Sequence, residues 1–198
     1  MNNQIGFLIE SCRNSCFSMQ SYSVNVRLKD FPLSLSLHTD YDGINTEYNT
    51  NKDFSISDID FDKFLSKMTP QFQRANNKWN KNMKIKFVEN IFKGAKTEIL
   101  LFQFKEEEDS QIIDGLQRTT ALLDFFQNKI KVFGEFYYKD LKSDLNKFHT
   151  NIYIKRYLFK TWEEVGRFYI DINENITHSK ADIQKAKDWF LKEKNIQL

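Results

Sequence analysis

The stretch Gln111-Ile112-Ile113-Asp114-Gly115-Leu116-Gln117-Arg118-Thr119-Thr120-Ala121-Leu122-Leu123-Asp124-Phe125-Phe126 decides how the rest of the chain is read. Ile112-Ile113 is a short apolar run that suits a buried strand. Asp114-Gly115 breaks it, and glycine lets the main chain turn sharply. From Gln117 the spacing is helical: Thr119, Leu122, Leu123 and Phe126 fall on one face at i, i+3, i+4 and i+7. A strand that passes through glycine straight into a helix leaves main-chain N–H groups free at the helix start. Together with the helix dipole they form an anion site. Arg118 lies in the first turn, where a guanidinium can fork onto a phosphate. The same side chain can instead pair with Asp114 or another carboxylate, and the residues alone leave both open.

Composition bounds the rest. The 198 residues suffice for one large domain, or a domain with an elaboration. Hydrophobic content of 40% with 19 Phe can build a sizeable core. A net charge of +2 gives no global basic field of the kind that announces nucleic acid. Two Pro and six Gly argue against linkers and low complexity. No apolar run reaches membrane-spanning length, and the run from Ile5 to Ile9 is too short for a signal peptide. The expectation is a cytoplasmic protein with no membrane partner. Cys12 and Cys16 are the only cysteines. Two thiols at i, i+4 without a second close pair are a weak zinc signal, even with His38, His149 or His178 as a further ligand, and buried free thiols are the plainer reading.

Taken in order, residues 1–55 predict a β-rich extension. Val24, Val26 and Leu28 alternate with polar residues, as do Leu33, Leu35 and Leu37, with a turn over residues 29–32 between them. Asp42-Gly43 signals a hairpin. An antiparallel meander is expected there, as a sheet extension or a partner surface. From residue 56 the pattern mixes helices and strands. Phe61, Phe64, Leu65 and Met68 have helical spacing, with Asp58 or Asp60 as cap, ended by Thr69-Pro70. Residues 83–92 read as a helix stopped by Gly94, and residues 99–104 as a strand. An acidic loop follows at 105–110. Strands are expected at 130–133 and 152–154, and a short helix at 140–148. Phe136-Tyr137-Tyr138 could stack bases, although core or groove lining is the plainer role. Thr161-Trp162-Glu163-Glu164 is a capping box opening a helix with Val165, Phe168, Tyr169 and Ile172 inward. Ser179 with Asp182 opens the last helix.

Asp114-Gly115-Leu116-Gln117-Arg118-Thr119-Thr120-Ala121-Leu122 resembles the Asp-Gly-Gln-Gln-Arg-Leu-Thr-Thr/Ala-Leu signature of the domain-of-unknown-function 262 family, in the ParB/sulfiredoxin-like superfamily. Pro70-Gln71-Phe72-Gln73-Arg74, with Trp79 and a helix ending in Gly94, resembles that family's segment beside its nucleotide pocket. Asn173-Glu174-Asn175-Ile176-Thr177-His178-Ser179 is similar to its third segment, without the usual Gly pair. Glu174-Asn175 also resembles the Glu-Asn of ParB that helps hold a magnesium–nucleotide complex. The resemblance runs over roughly residues 57–190, and its small stand-alone members look common in phage genomes.

The resemblance implies an α+β fold: a ParB/sulfiredoxin-like core of a small mixed sheet flanked by helices, over residues 56–198, after the antiparallel β elaboration. It implies a nucleoside-triphosphate-binding regulatory module linked to DNA processing or phage–host defence, with slow hydrolysis of the nucleotide left open. Gln73, Arg74, Trp79, Gly115, Leu116, Gln117, Arg118, Thr119 and His178 would line the nucleotide. Asp114, Gln117 and Arg118 would be catalytic, and Glu174 and Asn175 would hold Mg2+. DNA or a separate effector protein would be the partner. The plainer roles are a surface ion pair for Arg74, a core aromatic for Trp79 and loop capping for Glu174, Asn175 and His178. With three His and no His-Asn-His cluster, no nuclease step is assigned. A DNA- or protein-binding module that keeps the fold without turnover, and a weak ParB-like nuclease, are the alternatives.

Overall fold

The structure is a computed structural model that describes residues 20–36, 60–105, 109–174, 176 and 178–198. The expected hairpin at Asp42-Gly43, Cys12, Cys16, His38 and Asn175 lie outside the described residues. The strands are β1 (Ser21–Val26), β2 (Lys96–Phe104), β3 (Gln111–Asp114) and β4 (Asn151–Phe159). The helices are α1 (Phe31–Ser36), α2 (Phe61–Met68), α3 (Lys81–Phe92), α4 (Leu116–Phe126), α5 (Tyr138–Leu141), α6 (Trp162–Asn173) and α7 (Lys180–Lys194).

The four strands form one mixed sheet in the order β1-β4-β2-β3. β4 runs parallel to β2, and the two outer pairings are antiparallel. Helices cover both faces where β2 runs from Ile99 to Phe102, which explains the apolar run there, while Lys96, Glu98 and most of β1 stay exposed. Ile99, Leu101, Ile112, Ile152 and Ile154 point to one face and pack with α1, α2, α3 and α4. Phe102, Ile113, Tyr157 and Phe159 point to the other, under Val165, Phe168 and Tyr169 of α6 and Ile183, Ala186 and Phe190 of α7. The fold is therefore α+β, a small mixed sheet flanked by helices.

The structure departs from several local expectations. Residues 31–36 are helical, where alternation predicts a strand. Leu28, Phe31 and Leu35 are all buried, and their i, i+3, i+7 spacing serves a helix lying on the core. Pro32 at the helix start has the φ a first turn needs and no N–H to lose. β1 pairs along its whole length with β4, so it is an edge strand of the central sheet. Residues 130–133 form no strand: Val132 and Phe136 make a single bridge around a turn in which Phe133 and Gly134 both have positive φ. The helix expected at 140–148 is two short pieces, α5 and a 3-10 turn at Leu145–Lys147.

The connections that matter for the site are well capped. Asp60 accepts from Lys63 N, Asn80 from Met83 N, and Thr161 and Ser179 each complete a capping box. α4 is buried on almost every side, with only Arg118 and Asp124 half-exposed along its length. Lys84 Nζ holds Asp124 Oδ2 at 2.8 Å and so ties α3 to α4.

Candidate functional site

β3 leads into α4 through Gly115, whose φ of +100° belongs to glycine. The register between β2 and β3 slips at Leu100/Leu101, which leaves Asp114 opposite Leu100 at the end of the ladder. The turn lies directly on β2. A Cβ at position 115 would meet Ile99 Cα and Cγ1 at 3.3 Å. Gly115 offers no side-chain cap, so the first-turn N–H groups of α4 have no capping side chain. Arg118 Nη2 donates to Asp114 Oδ2 across one helical turn. The two side chains are 27% and 31% exposed, so the pair is accessible at the surface.

The loop that carries Gln73, Arg74 and Trp79 is clamped to this turn by buried amides. Gln73 Nε2 donates to Ile112 O at 3.0 Å and Ile113 O at 2.8 Å. Gln117 Nε2 donates to Asn76 Oδ1 at 2.9 Å, and Gln117 Oε1 accepts from Trp79 N at 3.1 Å. Asn76 Nδ2 donates to Thr120 Oγ1 at 2.7 Å. Gln73 and Gln117 are thus occupied in fixing the loop. Trp79 packs on Phe87 with centroids 5.2 Å apart, as a part of the core. Leu116 is buried in the core, and Thr119 is fully buried with its hydroxyl unpaired among the described residues.

The third segment arrives on the same side. The Asn173 carbonyl accepts from His178 N at 3.2 Å and closes the α6–α7 turn. His178 stands edge-on to Tyr169, with centroids 5.5 Å apart. Burial, then the positive charge of Arg74, push the His178 imidazole down to about 4, although Asp182 and Asp114 favour its protonation. It is neutral at pH 7. The Tyr169 hydroxyl is pushed up by burial, with Arg74 acting in the opposite direction. Lys78 Nζ lies 3.4 Å from Asp182 Oδ1. Burial opposes ionisation of Asp182, yet hydrogen bonds from Ser179 and the Lys78 charge hold its carboxyl below the ordinary range.

The three segments singled out in the sequence therefore converge, bringing Arg74, Lys78, Asp114, Arg118, His178 and Asp182 to one end of the sheet. The main chain of Glu174 bridges to His178, while its exposed carboxylate lies 3.9 Å from Lys187 Nζ. No group of three His, Cys, Asp or Glu side chains able to hold a metal ion occurs among the described residues. Lys78 and Tyr169 carry no signal in the sequence that separates them from a loop lysine and an inward-facing helix residue. No family model, curated protein or solved structure matches the chain.

Proposed function

We propose that this end of the sheet binds the phosphates of a nucleoside triphosphate, as a regulatory module acting with DNA-processing or phage–host defence machinery. The observation that supports it is Arg118 in the first turn of a helix capped by glycine, with its partner Asp114, Arg74 and Lys78 all gathered around His178. Free N–H groups, the positive end of the dipole and cationic side chains together favour a multiply charged anion. Arg118 would exchange one anionic partner, Asp114, for another. Asp114, released from its pair, is then placed to meet the Mg2+ that accompanies nucleotide phosphates, a cation commonly held through one or two carboxylates plus the phosphates. Neutral His178 would stand beside the same anion.

The test is a melting experiment with ATP, GTP, CTP and UTP, with and without Mg2+. One nucleotide at 100 times its Kd should stabilise the fold by about 2.7 kcal/mol. Arg118→Ala should weaken that nucleotide by roughly one to two orders of magnitude, the effect of a charged hydrogen-bonded contact of about 1.5–3 kcal/mol. Arg118→Lys should restore only part of it, because an ammonium lacks the fork. Absence of any shift at millimolar nucleotide argues for a second reading, a non-catalytic DNA- or protein-binding module. The engagement of Gln73, Gln117 and Arg118 with protein partners favours that reading. Under either reading, plasmid DNA incubated with Mg2+ should stay intact. Nicking that vanishes in Asp114→Ala would instead support a nuclease.

A further inference from the structure

A cavity of about 200 Å3 lies at the opposite end of β3 from Asp114. Its scale is that of one ring, since an apolar cavity of about 150 Å3 takes up benzene. One side is aromatic. Phe102 and Phe104 project from the same face of β2, and Trp162 from the first turn of α6. Trp162 meets Phe104 edge-on at 4.8 Å and Phe102 at 6.0 Å between centroids. The other side is polar and carries both charges, with Lys67 Nζ 3.6 Å from Asp109 Oδ1 and both side chains exposed at the mouth.

Ser110 supplies the second observation. It lines the cavity and is 1% exposed, and its hydroxyl has no hydrogen-bond partner among the described residues. A buried hydroxyl left unpaired is costly, and such groups are nearly always satisfied by protein, water or ligand. The neighbouring Gln111 amide is directed elsewhere, donating to Lys67 O at 3.2 Å.

We propose that this cavity binds a neutral one-ring lactam heterocycle, the chemistry of a uracil or thymine base. A lactam edge places an N–H donor beside a C=O acceptor. The cavity offers a carboxylate acceptor, an ammonium donor and a hydroxyl that can serve as either. The opposite charges of Lys67 and Asp109, 3.6 Å apart at the mouth, largely cancel and give no net field that favours an anion or a cation over a neutral guest. The aromatic side supplies the stacking surface that binds bases irrespective of backbone. This site does not depend on the phosphate reading at the other end of β3. The base can come from a free nucleoside or from a single strand.

The full chain is titrated with uridine, N3-methyluridine and a short oligothymidylate, and binding is followed by saturation-transfer NMR. Saturable binding of uridine or oligothymidylate at millimolar concentration is expected. Binding of uridine assigns the source to a free nucleoside, and binding of the oligonucleotide alone assigns it to a strand. N3-methylation and Ser110→Ala should each weaken binding about five- to tenfold, as the loss of one hydrogen bond does. Ser110→Ala should leave the melting temperature of the free protein unchanged or raised, because it removes an unpaired buried hydroxyl. No saturable binding of either ligand, or binding indifferent to both changes, overturns the proposal. So does an earlier-melting Ser110→Ala, which would mean that the hydroxyl is already satisfied within the fold.

Discussion

At Gly115 two constraints coincide, a φ of +100° and main chain resting on Ile99. An alanine there would adopt a left-handed conformation costing about 1–2 kcal/mol and would press its Cβ against β2 as well. Gly115→Ala should lower stability by about 2–3 kcal/mol, read as a lower urea midpoint with an unchanged slope. Gln117 offers the complementary test. Its amide joins Asn76 and Trp79 inside the fold, so Gln117→Ala strands buried polar groups and should cost about 1–3 kcal/mol without any ligand. A Gln117→Ala protein of undiminished stability that loses nucleotide affinity would move this residue from clamp to ligand contact. At Arg118 the residue types allow both a phosphate fork and a pair with Asp114, and the structure contains the pair. In the phosphate reading, Arg118→Ala weakens the nucleotide and barely alters melting. In the structural reading, Arg118→Ala and Asp114→Ala lower melting alike, and the double mutant adds little.

Among the elements, α7 is the one whose start bears on the site. Ser179 Oγ accepts from Asp182 N at 3.2 Å, while the Asp182 carboxylate accepts from Ser179 and faces Lys78. Ser179→Ala should cost about 1 kcal/mol as a lost N-cap. It should also loosen the hold of α7 on the loop of Arg74, raising amide exchange over residues 73–79 without unfolding the sheet. Trp189 Nε1 reaches Gln71 Oε1 at 3.3 Å from the same helix, so the loop is held at a second point. If exchange in the loop is unchanged by Ser179→Ala, the cap and the loop are energetically separate.

For the whole molecule, His178 links the site to stability against pH. Its ordinary value is 6.5, and in the fold it is held at about 4, first by burial. The unfolded chain therefore binds a proton in a window where the folded one does not. The stability associated with neutral His178 is fully present above pH 6.5 and is lost as pH falls toward 4. Melting of the native chain should decline through that window more steeply than melting of His178→Gln. Parallel declines would mean that the imidazole is not held neutral. Within the described residues no helix is long and apolar enough to cross a membrane.

The elements that local chemistry dictates were legible before any tertiary structure. The caps at Asp60, Thr161 and Ser179, the apolar strand within β2 and the glycine turn into α4 follow from hydrogen-bonding capacity, period and backbone freedom within a few residues. Phe31 to Ser36 could not be read that way, because Leu33 and Leu35 alternate locally while Leu28, Phe31 and Leu35 are what the core buries. The bridge at Val132 and Phe136 likewise depends on positive φ at Phe133. The charged site was legible as three separate segments but not as a place. Only the tertiary structure put Lys78 on Asp182, clamped Gln117 to Asn76 and lowered His178 beside Arg74. Those effects act through space between residues far apart in the chain, where spacing and period carry no information.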